Sequence, residues 1–462
     1  MKKTAINELV GEYTFKKFGL DKNNQYDITS VRAIDLLTPN RIDLIAKYEY
    51  LVFKQNAVKS NLAEEVYKSH LDVFSDGGFY EPGSDTKNSY EDFVKEYDDI
   101  YDSLKERGFD SAKSLIPIGN DGVIINGGHR TAASIFLNQE VSVLEIPNHS
   151  GPKYNYKYFE RSKMPREYLD FLALNYVKLA PRTTFVICLW PKAVKMNKTK
   201  ECEALIEKKT KVIYKRVLPL TKMGLKNLMM HLYHKEQWVG AEKNNFMGTY
   251  GKVDACYAKA DTILYLVEAD SLATIIDLKN QIRSVFGIDK RSVHITDTRE
   301  EAIYTVDLAL NSHSVLAMNC GYPDKLNAKL KKLEEQFAKL KNKNVVLNPL
   351  YTLLYFGHDV KITEEDDFVS IKELKKDVVY DTRNFFTYRG FKLLSPEYAK
   401  EISPAKYAAA FDSIIKKDNI PTKAKVKEGV SKVAFRAKRK TKVTLKKLGL
   451  LKYVDKLRGK KS

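Results

Sequence analysis

Gly127, Gly128, His129 and Arg130 stand in a row between an apolar run and a helical one, in the stretch VIINGGHRTAASIF. Two consecutive glycines let the backbone turn sharply and approach a bound group closely. A helix opening near Thr131 offers N–H groups without intrahelical acceptors and the positive end of its dipole. Arg130 adds a planar, permanently charged fork, and His129 a ring that donates a hydrogen bond or carries a proton near neutral pH. These groups suit an oxyanion, and phosphate is the natural guest. Taken alone, the four residues also fit a plain turn with a solvated His–Arg pair, so their surroundings decide.

Two upstream stretches supply more charge. In LLTPNRIDLIAKYEYLVFKQN the chain turns at Pro39 and Asn40, and Ile42, Leu44, Ile45, Tyr48 and Leu51 then recur at helical spacing. Near the start of that helix, Arg41 or Lys47 could reach a phosphate, and Asp43 could orient or deprotonate a hydroxyl nucleophile. The alternative is a solvated charged face. The loop SDGGFYEPGSDTKNS is long and rich in Gly, Pro, Asp and Ser, as functional loops and disordered ones both are. Within it Glu81 is a candidate general base beside Tyr80, or else a surface carboxylate, and Lys87 is a further cation.

The elements that must position these groups are short. A strand over 115–118, a turn over 119–122, a second strand over 123–125, the glycine pair, a helix and a strand over 141–146 make one compact unit. A strand over 28–34 and helices over 63–74 and 90–107 precede it.

The order helix, Gly, strand, turn, strand, Gly-x-x-Arg, helix, strand resembles the ParB N-terminal and sulfiredoxin superfamily. The resemblance spans about residues 28–147 and is carried by LKERGF, LIPI, VIINGGHR and TAAS. It implies that the Gly127–Arg130 loop cradles the phosphates of a nucleotide, as in ATP-dependent sulfiredoxins, CTP-hydrolysing ParB proteins and free-serine kinases. Histidine before the arginine is similar to the kinase and sulfiredoxin variants. A sulfiredoxin would carry cysteine where this chain has Gly128, and no helix-turn-helix pattern of a sequence-reading ParB follows Pro147. With the R-x-D-L-x-x-K helix start and the Glu81…Lys87 loop, the segment resembles a branch met in bacterial surface-glycan gene clusters, which implies a sugar or polyol as substrate.

The remaining chain is read from its pattern. At 462 residues, two or three units are expected, with 44% hydrophobic and 30% charged residues as in a soluble globular protein. The start MKKTAINELVGEY is too polar for a signal peptide and no apolar run reaches membrane-spanning length, so a cytoplasmic protein is expected. Cys188, Cys202, Cys256 and Cys320 lie far apart and read as free thiols. From 423 to 461 there are sixteen Lys or Arg against Glu428 and Asp455, which is +14 of the chain's +19. Such a tail suits the anionic inner surface of a membrane, and less well nucleic acid; the alternative is a disordered solubilising tail.

Strands over 183–191, 211–218, 262–267 and 292–296 alternate with helices over 271–286 and from Asp297 onward, which implies an α/β domain. Between them Gly-Thr-Tyr-Gly-Lys lacks the spacing of a phosphate loop, yet Lys252, His294 and Asp297 could converge on a second ligand.

The expectation is an α+β multidomain protein. A ParB/sulfiredoxin-like domain (1–150) precedes an α/β domain (180–320), a mixed extension (321–420) and a basic helical or disordered tail (421–462). Its expected activity is phosphotransfer from ATP or another nucleoside triphosphate, with Mg²⁺, to a small hydroxylated metabolite. Asp43, Glu81 and His129 are the catalytic candidates. Arg41, Lys47, Lys87, Gly127, Gly128 and Arg130 are the phosphate-binding candidates, and no protein metal site is expected. The competing readings are a nucleotide-switched DNA-binding protein and a non-catalytic scaffold peripheral to the inner membrane.

Overall fold

The computed structural model describes residues 6–418 other than 82, 242–245, 341–344, 364–366, 371–373 and 375–376, together with 437, 441 and 444. The basic tail expected over 421–462 therefore lies, but for three residues, outside the described residues. The rest is mixed α and β, in two compact units: residues 6–57 with 61–172, and residues 58–60 with 173–418.

In chain order the first unit holds α1 (Ile6–Val10), α2 (Glu12–Lys17), β1 (Ile28–Arg32), α3 (Asp43–Gln55), α4 (Leu62–Phe74), α5 (Tyr90–Arg107), β2 (Ile116–Gly119), α6 (Gly128–Phe136), β3 (Glu140–Ile146) and α7 (Tyr156–Arg161); the unit boundary falls inside α8 (Arg166–Leu179). Strand β3 is central. It pairs antiparallel with β1, Ile28 opposite Leu144, and parallel with β2, Ile116 opposite Val143. Two parallel strands need a crossover, and α6 supplies it. The glycine loop is thus held between the carboxyl end of β2 and the start of α6, where open sheets present ligands.

The strand expected over 123–125 is reduced to a single bridge between Ile118 and Ile124. Pro117 has no N–H to give a longer ladder, although its carbonyl accepts from Ile125. Helix α5 keeps its expected bounds, because Ser89 and Asp92 close a capping box at one end and Gly108, at φ 72°, ends it at the other. Its buried face is aromatic: Tyr90, Phe93, Tyr97 and Tyr101 recur at helical spacing.

The second unit opens with β4 (Thr184–Leu189), α9 (Pro191–Val194), α10 (Thr199–Lys209), β5 (Lys211–Leu218), α11 (Lys222–Tyr233), α12 (Thr249–Cys256), β6 (Thr262–Glu268), α13 (Leu272–Phe286), β7 (Val293–Ile295) and α14 (Arg299–Ala309). The strand order is β5-β6-β4-β7 and every pairing is antiparallel. This corrects the α/β reading. Alternation of helix and strand sets which elements exist, but a helical connection can return the chain in either direction. Strands β4 and β6 are buried throughout, as their apolar runs FVICL and ILYLV require.

Residues 321–418 belong to this unit rather than to a separate extension. Tyr351, Tyr355, Phe386 and Tyr388 share one buried cluster with Met230 of α11. Of the acidic run over 364–367, Asp367 is described; it is buried and accepts a hydrogen bond from Tyr351. All four cysteines are free thiols. Among the described residues, no helix is long and apolar enough to cross a membrane.

Candidate functional site

Gly127 sits at φ 85°, a left-handed conformation that glycine adopts without strain, and caps α6. From there the cations take sides. A Cβ on Gly127 would fall 3.1 Å from Arg130 Nη2, and one on Gly128 would fall 3.1 Å from Arg41 Nη2 and 3.4 Å from Lys47 Cε. The glycine pair is thus flanked by three cationic side chains, above the first-turn N–H groups of a helix.

Arg41 and Lys47 are fixed by Asp43. The Arg41 Nε and Nη2 each donate to one Asp43 oxygen at 2.8 Å, and the Lys47 Nζ donates to Oδ2 at 2.8 Å. The third Arg41 nitrogen, Nη1, donates to the Ile124 carbonyl at 2.6 Å. All three residues are buried, Asp43 completely, so the solvated-face reading of this helix fails. Burial alone would raise the Asp43 carboxyl, but the two cations hold it far below the usual carboxylate range. Asp43 is therefore a counter-ion with both oxygens engaged, which departs from its expected role as a base. Two cations against one carboxylate leave the trio one positive charge in excess.

His129 stands in an aromatic surround of Tyr67, Phe93 and Tyr97, its ring 4.7 Å from that of Tyr97. Its Nε2 is 2.9 Å from the Tyr67 hydroxyl. Arg130 reaches the Leu115 carbonyl at 3.4 Å and lines a pocket of about 270 Å³ with Glu96, Asp99, Arg107, Asp110 and Lys113. The long loop joins in through Lys87, whose buried Nζ meets Glu81 Oε2 at 2.5 Å and Glu96 Oε1 at 2.7 Å. Glu81 acts electrostatically on both Lys47 and Arg130. All nine candidates of the first unit are thereby brought into one neighbourhood.

Several groups here escaped the sequence reading. Phe74 lies under the Lys47 ammonium at 5.4 Å and Tyr154 under the Arg41 guanidinium at 5.4 Å. His70, fully buried, has an Nε2 with no hydrogen-bond partner among the described residues. Glu96 is the second carboxylate on Lys87. The usable signal was the spacing of Tyr67, His70 and Phe74 on α4, one face that carries two rings and an imidazole.

Five imidazoles, those of His70, His129, His231, His294 and His358, are held below their ordinary value of 6.5, each mainly by burial. For His129 the charges of Lys47 and Lys87 add to it; His294 is brought down to about 3, with Lys279 and Lys252 contributing. A base with a depressed folded pKa is neutral in the fold and takes up a proton on unfolding. Stability is therefore complete above the unfolded value near 6.5 and is lost as pH falls below it, by up to about 1.4 kcal/mol per pH unit for each ring, and by less for the part-exposed His358. Asp43 adds nothing in that window, because its unfolded carboxyl still titrates near 3.8. Glu268, pushed up by burial, works in the opposite sense at the acid end. The thermal midpoint should drop between pH 7 and 5, and less steeply in His129→Asn; a flat profile would show that the rings are not buried neutral.

The second-unit candidates Lys252, His294 and Asp297 all line one cavity of about 1050 Å³, as do Gly248 and Gly251 of the Gly-Thr-Tyr-Gly-Lys run. Among the described residues, no group of three or more His, Cys, Asp or Glu could hold a metal ion. No protein-family model matches the chain, and no curated protein matches it in sequence.

Proposed function

We propose that the first unit is a ParB/sulfiredoxin-like phosphotransferase module, which passes a phosphoryl group from ATP or another nucleoside triphosphate to a small hydroxylated metabolite, a sugar or polyol of a surface glycan. The single observation that carries the reading is the glycine pair flanked by Arg41, Lys47 and Arg130 at the start of α6. The phosphates lie over Gly127 and Gly128, accept from the first-turn N–H groups, and meet the three cations. Because Arg41 and Lys47 are already fixed by Asp43, they need little reorganisation to stabilise charge on the transferring group.

Glu81 takes the proton as the acceptor hydroxyl forms its bond to phosphorus and the bond to the nucleoside diphosphate breaks. Its side chain is 38% exposed, where Asp43 is sealed. Mg²⁺, bound with the nucleotide, supplies neutralisation of phosphate charge, and Glu81 or Glu96 is the carboxylate that would join its coordination. The basic tail holds the protein at an anionic membrane surface.

Gly128→Ala tests the reading. Its backbone is not left-handed, so a methyl group is tolerated locally but crowds Arg41 and Lys47 at 3.1 and 3.4 Å. In a Lys252→Ala background, which removes a cation from the second-unit cavity, nucleoside triphosphate with Mg²⁺ should raise the melting temperature, and should raise it little or not at all once Gly128→Ala is added. If no nucleotide shifts the Lys252→Ala chain, the phosphotransfer reading is abandoned.

A further inference from the structure

The large cavity of the second unit takes no part in that reaction, and its lining is divided by chemistry. On one wall, Lys252, Arg283 and Lys290 come together with little counter-charge. The Lys252 Nζ donates to the Lys290 carbonyl at 2.7 Å and lies 5.8 Å from the centre of the Tyr233 ring. Among the described residues the Arg283 Nε has no hydrogen-bond partner, and it stands 3.7 Å from Asp289, a carboxylate that is 72% exposed. Burial, with the charges of Arg283 and Lys290, lowers the Lys252 ammonium from its ordinary value.

A second wall is aromatic. Trp238 is 47% exposed, against Tyr233 at 5.3 Å between ring centres, and Tyr233 in turn meets His294 at 5.0 Å. An indole so exposed beside a cavity offers a face for another ring to cover. A third wall carries Asp297 and Glu300 at the start of α14, acceptors suited to hydroxyl groups. Also in the lining, His231 is 1% exposed and its Nε2 has no hydrogen-bond partner among the described residues. Buried polar atoms are normally satisfied, so an orphan in a cavity wall marks a place for a ligand.

We infer that this cavity is a second ligand site and that it takes a nucleoside diphosphate: phosphates on Lys252, Arg283 and Lys290, the base against Trp238, and ribose hydroxyls toward Asp297 and Glu300. Its volume of about 1050 Å³ is ample for such a ligand.

The chain contains two tryptophans, and Trp190 is fully buried, so quenching of exposed indole fluorescence reports on Trp238. The full chain carrying Gly128→Ala, whose first-unit loop is blocked, should show saturable quenching by UDP or ADP. The dissociation constant should rise at least tenfold in Lys252→Ala and in Lys290→Ala, the latter an exposed side chain whose removal spares the fold. Trp238→Phe should abolish the signal while calorimetry still records binding. Absence of saturable UDP and ADP binding, or binding unchanged in both lysine variants, overturns the inference. Pyrophosphate binding as tightly as UDP overturns the nucleoside assignment. Nucleotide binding lost in Gly128→Ala but kept in Lys252→Ala belongs to the first unit and counts against the cavity alone.

Discussion

Asp43→Ala should destabilise the first unit by about 3–5 kcal/mol, the cost of breaking a buried ion pair from one side. The carboxylate is completely buried and each of its oxygens is engaged at 2.8 Å. Its removal strands two cations, and they respond differently. Lys47 already has its proton affinity reduced, mainly by burial, and can become neutral. Arg41 cannot deprotonate, so it must keep its charge on the Ile124 carbonyl alone or pull out toward water. Since a domain is stable by only about 5–15 kcal/mol, this one change consumes a large part of the margin.

Urea unfolding followed by circular dichroism gives the measurement. Lys47→Met in the Asp43→Ala background should recover part of the loss, because it removes one stranded charge and puts an apolar chain end near Phe74, where the ammonium lies 5.4 Å from the ring centre. An Asp43→Ala chain as stable as the native one would mean that the three residues are solvated after all.

How far such a cluster can be read from sequence depends on which physical signal sets it. Helix α3 was legible because Ile42, Leu44, Ile45 and Leu51 repeat at helical spacing, and α5 because Ser89 and Gly108 punctuate it. The glycine loop was legible because few residues besides glycine tolerate what Gly127 does. That Arg41, Asp43 and Lys47 turn inward was not, since charged residues on a helix ordinarily face water and only tertiary packing under Phe74 and Tyr154 reverses this. Strand direction in the second unit was illegible for a related reason: β4 and β6 read as buried runs whichever way their neighbours point. The convergence of Lys252, His294 and Asp297 was anticipated from residue type, whereas Trp238, half exposed in the same cavity, carries no pattern that would mark it.

On the phosphotransfer reading, Arg130→Ala should lower kcat/KM by about 10²–10³-fold, the usual cost of losing one donor aimed at transition-state charge. The fold should survive, because among the described residues Arg130 makes one long hydrogen bond, to the Leu115 carbonyl at 3.4 Å, and borders an open pocket. Arg130→Lys separates charge from geometry. A lysine restores the positive charge but not the fork, so it should recover nucleotide binding more fully than turnover. The contrast with Asp43→Ala is the point of the experiment: one variant loses stability through a charge left behind, the other loses rate with the melting temperature of the ligand-free chain unchanged. Radiolabelled phosphoryl transfer to a panel of sugars and polyols, read beside that melting temperature, measures both. An Arg130→Ala chain that is stable and fully active would remove the arginine from the reacting centre and leave Arg41 and Lys47, held in place by Asp43, as the cations that carry the phosphate.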